Sequence, residues 1–101
     1  MDRLQLQSSL ETLLGTRNVY FQPPPTVQLS YPCIIYERAP NRDLPADDLR
    51  YIRHRAYQVI VIDRNPDTTL PDRLLDAFPY SRFDRYYAAD NLNHYSMTIY
   101  I

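Results

Sequence analysis

Leu6, Leu10, Leu13 and Leu14 recur at i, i+4, i+7 and i+8, an apolar stripe that predicts a helix over residues 2–15. Gly15 stands where that helix must end and takes left-handed backbone without a Cβ penalty. Val19-Tyr20-Phe21 predicts a short strand, halted by Pro23-Pro24-Pro25, whose missing amides fit an edge or a rigid connector. Residues 31–37 form a β-rich run with its proline at the entry. The strongest strand signal covers residues 51–63. Tyr51, Arg53, Arg55 and Tyr57 alternate there with Ile52, His54 and Ala56 before the apolar run Val59-Ile60-Val61-Ile62. Such a pattern predicts a long central strand that starts at a surface and finishes buried on both faces.

Asn65-Pro66-Asp67 breaks that strand, and a short second helix follows. Thr69 and Asp72 have capping-box spacing, Pro71 suits a first turn, Leu70, Leu74 and Phe78 face inward, and Pro79 marks the exit. Two further strands are expected over residues 82–88 and 94–101, separated by Asp90-Asn91-Leu92-Asn93. In the last, Tyr95, Met97, Ile99 and Ile101 alternate with Ser96, Thr98 and Tyr100, the pattern of a half-buried strand. Residues 39–50 are polar and twice interrupted by proline, so a protruding loop or hairpin tip is expected there. The fold class is therefore α+β: a mainly antiparallel sheet of about five strands with two helices packed on one face. No internal repeat is present, and residues 1–101 form a single domain.

The 101 residues, 45% hydrophobic and 23% charged, are ordinary globular proportions and argue against disorder. No apolar run is long enough to span a bilayer, so no membrane association is expected. Met1-Asp2-Arg3-Leu4 has no basic segment feeding an apolar stretch, so no secretion signal is expected. Cys33 is the single cysteine and forms neither an intrachain disulfide nor a thiolate metal cluster. A reducing cytoplasm fits that usage. The charge tally is more telling than the net charge of −1: all eleven basic residues are arginine, and ten tyrosines accompany them. Both types are enriched at the buried centres of protein interfaces, where Lys and Glu are depleted. A GC-rich genome also favours arginine over lysine, but it predicts abundant glycine and few tyrosines. The chain has the reverse, one glycine and ten tyrosines.

A single glycine excludes the phosphate-cradling loops of nucleotide-binding folds. Asp63, Asn65 and Asp67 have the spacing of the first calcium-loop ligands, but Thr68 replaces the required glycine and Leu74 the terminal glutamate. His54 and His94, the latter with Asp90 four residues before it, are the available imidazoles. A histidine beside a strand more often bonds a carbonyl or faces solvent than it binds a metal. Cys33, set in an apolar strand beside Ile34, reads as an inert buried thiol. No nucleophile–base–orienter set is visible, so neither an enzyme nor a bound cofactor or metal is expected. Arg82-Phe83-Asp84-Arg85-Tyr86-Tyr87 and Arg53-His54-Arg55 interleave cations with aromatics, as single-strand binders do. The interspersed aspartates and a sequence pI near 6.0 count against phosphate binding.

An assembly subunit needs no catalytic set. Its expected contact residues are Arg53, Arg55, Tyr57, Arg82, Arg85 and Tyr87, with Asp47, Asp48 and Arg50 from the polar loop. Guanidinium groups form bidentate pairs with carboxylates, and the abundant aspartates supply partners. Residues 31–38 (Tyr-Pro-Cys-Ile-Ile-Tyr-Glu-Arg), residues 57–63 running into Asn65-Pro66-Asp67, and Asp90-Asn91-Leu92-Asn93-His94 together resemble the tail terminator, or tail completion, proteins at the neck of long-tailed bacteriophages. The resemblance spans residues 10–101. It implies a structural virion protein, made in the host bacterial cytoplasm, that forms a hexameric ring on the tail tube protein. The ring's other face would meet the head-completion (connector) ring, and DNA would pass through the lumen without specific binding. Other neck, head-completion and baseplate proteins are similar in size, and a nucleic-acid-binding module is a further alternative.

Overall fold

The computed structural model describes residues 1–39 and 55–101, together with the backbone of residues 44–45 and 53–54. Helix α1 (Arg3–Leu14) begins at a reciprocal cap: Asp2 Oδ1 accepts from the Gln5 amide at 2.8 Å, and the Asp2 amide donates to Gln5 Oε1 at 2.9 Å. This pairing answers two amides that the first turn leaves without partners. Gly15 ends the helix with φ 84, the left-handed geometry expected of it. Leu6 and Leu10 are fully buried, while Leu13 and Leu14 pack partly buried at the margin.

The strands are β1 (Val19–Phe21), β2 (Cys33–Arg38), β3 (Leu44–Pro45), β4 (Arg53–His54), β5 (Ala56–Asp63), β6 (Ser81–Ala89) and β7 (Leu92–Tyr100), with α2 (Leu70–Ala77) between β5 and β6. Five of them form one sheet in the order β1-β2-β5-β7-β6. All neighbours are antiparallel except β1 and β2, which run parallel. The α+β architecture expected from the sequence is therefore present, with a mixed, mostly antiparallel sheet. A second, two-stranded ribbon pairs β3 with β4. The rest of the polar loop, including Asp47, Asp48 and Arg50, lies outside the described residues.

Three expectations need correction. The strand expected over residues 51–63 is divided at Arg55. Its backbone exchanges hydrogen bonds with Ile101, while β4 pairs with β3 instead of entering the main sheet. The capping box at Thr69 does not form. A cap bonds the second or third amide of the helix, and Pro71 leaves the second without a hydrogen. The Thr68 hydroxyl, one residue earlier, accepts from the Leu70 amide at 3.3 Å. The final strand is buried on both sides, not half-buried: Ser96 and Thr98 are 2% and 0% exposed. It lies inside the sheet between β5 and β6, where Gln58 donates to the Ser96 hydroxyl (3.1 Å) and Asp84 accepts from Thr98 (2.7 Å). Both hydroxyls thus keep partners without water.

The pleat sorts the strands' side chains into two faces. Val19, Ile34, Tyr36, Tyr57, Val59, Val61, Met97 and Ile99 join Leu6 and Leu10 of α1 and Leu70, Leu74 and Phe78 in one hydrophobic cluster. The other face contributes nothing to that cluster; it carries Cys33, Ile35, Ile60, Ile62, His94, Ser96 and Thr98, as the register requires. Tyr36 is the largest fully buried side chain. Its ring sits 5.0 Å from Phe21 and 5.9 Å from Tyr57, and its hydroxyl donates to Gln7 Oε1 and accepts from Arg3 at 3.2 Å. The Gln7 amide also donates to the Val19 carbonyl, so one glutamine ties α1 to both β1 and β2. Arg73 of α2 donates to the Leu13 carbonyl at 2.9 Å, answering an acceptor that the end of α1 leaves open. Tyr36→Ala is expected to cost about 3–5 kcal/mol, the range for a buried aromatic. Tyr36→Phe, which deletes only the hydroxyl, is expected to cost about 1–2 kcal/mol. Urea unfolding of the two variants separates these contributions.

Candidate functional site

Strand β6 is an edge of the sheet and carries the most unusual surface. It pairs with β7 along its whole length but slips by one residue between Phe83 and Arg85, where Asp84 is inserted as a β-bulge. The consequence is chemical. Phe83 and Tyr86 lie on the cluster side, opposite Met97 and Tyr95, whereas Arg82, Asp84, Arg85 and Tyr87 all lie on the other side with Thr98, Ser96 and His94. A regular strand would have sent one of Asp84 and Arg85 to each face.

On that side the groups are ordered among themselves. Arg82 Nε meets Asp84 Oδ1 at 3.2 Å, and the second carboxylate oxygen holds Thr98. The Arg85 guanidinium lies 4.7 Å over the Tyr87 ring, which stacks on the His94 imidazole at 4.6 Å and 15°. The imidazole Nδ1 faces the Leu92 carbonyl at 3.2 Å, so His94 is occupied locally. On the cluster side, exposed Phe83 (44%) and Tyr86 (51%) extend the apolar surface to the sheet edge. The Tyr86 ring packs 5.1 Å from Tyr95, and its hydroxyl donates to Asn93 Oδ1 at 2.7 Å. Asn93 in turn donates to the Asp63 carbonyl at 3.1 Å, anchoring the β6–β7 hairpin to the end of β5. The hairpin closes through Asp90 and Asn91, both with positive φ (55 and 61), a two-residue turn tighter than the four-residue connection expected.

A second cationic region lies where β1, β2 and β5 meet the start of α1. Arg3, Arg38 and Arg55 line a cleft of about 500 Å³ with Phe21, Tyr57 and Ile101. Arg3 covers the Phe21 ring at 4.4 Å. Asp2, which also lines this cleft, is engaged as the cap of α1. Among the described residues, Arg3, Arg38, Arg55 and Arg85 form no ion pair.

The residues expected at a contact surface thus separate. Arg82, Arg85 and Tyr87 come together on β6, and Arg55 lies in the cleft. Tyr57 departs from the expectation of an outward side chain. It is 4% exposed, because the pleat turns it to the same side as Val59 and Val61, and its ring joins Phe21 and Tyr36. The side chain of Arg53 lies outside the described residues, as does that of His54. Sequence reasoning missed Arg3 and Arg38, which only the fold brings beside Arg55, and the exposed pair Phe83 and Tyr86. Adjacent charges at Asp84-Arg85, interrupting an otherwise alternating run, were the available sign of the bulge.

The remaining candidate chemistry is held in local structure. Asp63 Oδ1 accepts from the Asn65 amide (3.0 Å) and Asn65 Oδ1 from the Asp67 amide (2.9 Å), so these oxygens shape the turn after β5. Among the described residues no three His, Cys, Asp or Glu side chains converge as metal ligands. Cys33 is fully buried on β2, and burial pushes its thiol up to about 11. Burial likewise raises the phenols of Tyr36 and Tyr95. For the thiol, the folded chain retains a proton that the unfolded chain releases from roughly pH 8.5. Its contribution to stability is therefore intact below that pH and falls as pH rises toward 11. Cys33→Ala is expected to flatten the decline in melting temperature over this range, leaving the tyrosine component; identical slopes for the two proteins refute the assignment. Comparison with protein families, curated proteins and solved structures finds no match.

Proposed function

We propose that this chain is a structural subunit that assembles with copies of itself, and specifically a ring-forming tail terminator at the neck of a long-tailed bacteriophage. The observation that carries the reading is the set of arginines that form no ion pair among the described residues and stand beside aromatic rings: Arg3, Arg38 and Arg55 around Phe21, and Arg85 over Tyr87. Arginine and aromatic side chains are the groups that dominate interface energetics once water is excluded, and a guanidinium left open within one chain is available to a carboxylate of another. A ring closed by rotation needs two different surfaces on each subunit. The three-arginine cleft is one such surface, and carboxylates of a neighbour are its counterpart. The resemblance of residues 31–38, 57–67 and 90–94 to neck proteins supplies the biological setting: a ring that stops the tail tube, meets the head-completion ring and lets DNA pass.

Negative-stain images and light scattering of the purified protein are expected to reveal a ring-sized oligomer. Joint substitution of Arg38→Glu and Arg55→Glu, both at exposed sites, is expected to reduce the ring fraction at least tenfold while circular dichroism stays unchanged. A protein that remains monomeric at high concentration overturns the reading. The stacked Arg85, Tyr87 and His94 favour a second reading, a surface for single-stranded nucleic acid. Filter binding with a steep salt dependence supports that alternative, and none at low salt removes it.

A further inference from the structure

At one end of the sheet, arginine stands where the pleat calls for core residues. Arg38 pairs with Tyr57 across the β2–β5 rung, and Tyr57 pairs with Ile99, so Arg38 shares the side of the hydrophobic cluster. One rung past Ala56 and Tyr100, Arg55 and Ile101 exchange both backbone hydrogen bonds, and Ile101 packs against the same cluster. Arg3 enters from the start of α1, its guanidinium 4.4 Å over the Phe21 ring and 3.2 Å from the Tyr36 hydroxyl, to which it donates. Residues far apart in the chain thus bring three arginines to one cleft.

The surroundings make these charges costly to leave unanswered. Tyr57 is 4% exposed, and Phe21 and Ile101 are partly buried, so apolar surface walls the cleft and charges interact there more strongly than in water. Three like charges in such a place repel one another. Arg3, Arg38 and Arg55 form no ion pair among the described residues, and Asp2 Oδ1, on the same cleft, accepts from the Gln5 amide. Arginines that merely cover the margin of a core with their stems turn their heads to water separately. Here all three line one cleft of about 500 Å³, within the size range of small-ligand sites. The guanidinium fork matches the oxygens of carboxylate and phosphate. One such oxyanion group meets one fork, so three forks call for an anion with several charged groups.

We infer that the cleft of Arg3, Arg38 and Arg55 is a binding site for a small multivalent oxyanion, a polyphosphate or polycarboxylate, with Phe21 and Tyr57 as its apolar wall. One consequence deepens the ring reading and rests on it. The anion competes with a neighbour's carboxylates for the same arginines, and so holds subunits apart.

Calorimetric titration with pyrophosphate and with citrate, at an ionic strength held constant by sodium chloride, tests the site. One anion per chain is expected, with a rise in melting temperature because the ligand binds only the folded chain. Arg38→Gln and Arg55→Gln, both at exposed sites, are each expected to weaken binding about tenfold. Arg17→Gln, beyond the other end of α1, is expected to leave it unchanged. The tighter of the two anions identifies phosphate or carboxylate as the preferred group. No binding of either anion, equal weakening by Arg17→Gln, or binding indifferent to Arg38 and Arg55 overturns the inference. Where rings form, saturating anion is expected to lower the ring fraction about tenfold by mass action; rings that persist with the anion bound overturn the competition. A monomer that binds the anion through Arg38 and Arg55 overturns the ring reading and leaves the site standing. Rings without anion binding do the opposite.

Discussion

The eight-rung antiparallel ladder between β5 and β7 is the constraint on which the rest depends. Val59, Val61, Met97 and Ile99 turn to one side of it and meet the leucines of α1 and α2. Because a strand's side chains alternate strictly, that choice fixes which residues of β2 and β6 face the cluster and which face away. A slip of one rung would send every one of these apolar groups to the other face. The register is therefore held by the entire buried cluster and not by any single bond.

Burying β7 on both faces brings polar groups inside, and the structure answers each of them with a neighbour. Ser96 is met by Gln58 from one flanking strand and Thr98 by Asp84 from the other. Tyr36 is treated in the same way, with Gln7 and Arg3 from α1 completing its hydroxyl. No described buried side-chain nitrogen or oxygen lacks a partner. Unmet, such groups cost more than an ordinary hydrogen bond contributes, so these pairings fix where α1 and β6 lie against the sheet as firmly as the leucines do.

The β6 bulge links packing to surface. Asp84 must reach Thr98 on one side of the sheet, and the inserted residue lets Arg85 share that side while Phe83 and Tyr86 keep to the other. The result is an edge strand with charged and aromatic groups sorted by face. Edge strands left regular and apolar invite indiscriminate pairing, and a bulge with charges restricts which partner fits. At the other end of the sheet, Arg3, Arg38 and Arg55 gather from three separate parts of the chain. They present cations whose counter-charges the described fold does not itself supply.

The sequence by itself determined the elements wherever a local signal was strong. The leucine stripe and Gly15 bounded α1. Prolines closed β1, admitted β2 and ended α2, and the apolar run of β5 marked the centre of the sheet. Arg82, Arg85 and Tyr87 were legible as a group because they lie in one run of chain. Only the tertiary structure decided the rest. That Tyr57 turns inward, that Ser96 and Thr98 are buried, and that Arg3 and Arg38 stand beside Arg55 all depend on which strand lies next to which. Alternation tells that two residues share a face, but not which face the core covers. A one-residue insertion inverts the answer for everything beyond it, and such an insertion is set by pairing between segments distant in the chain.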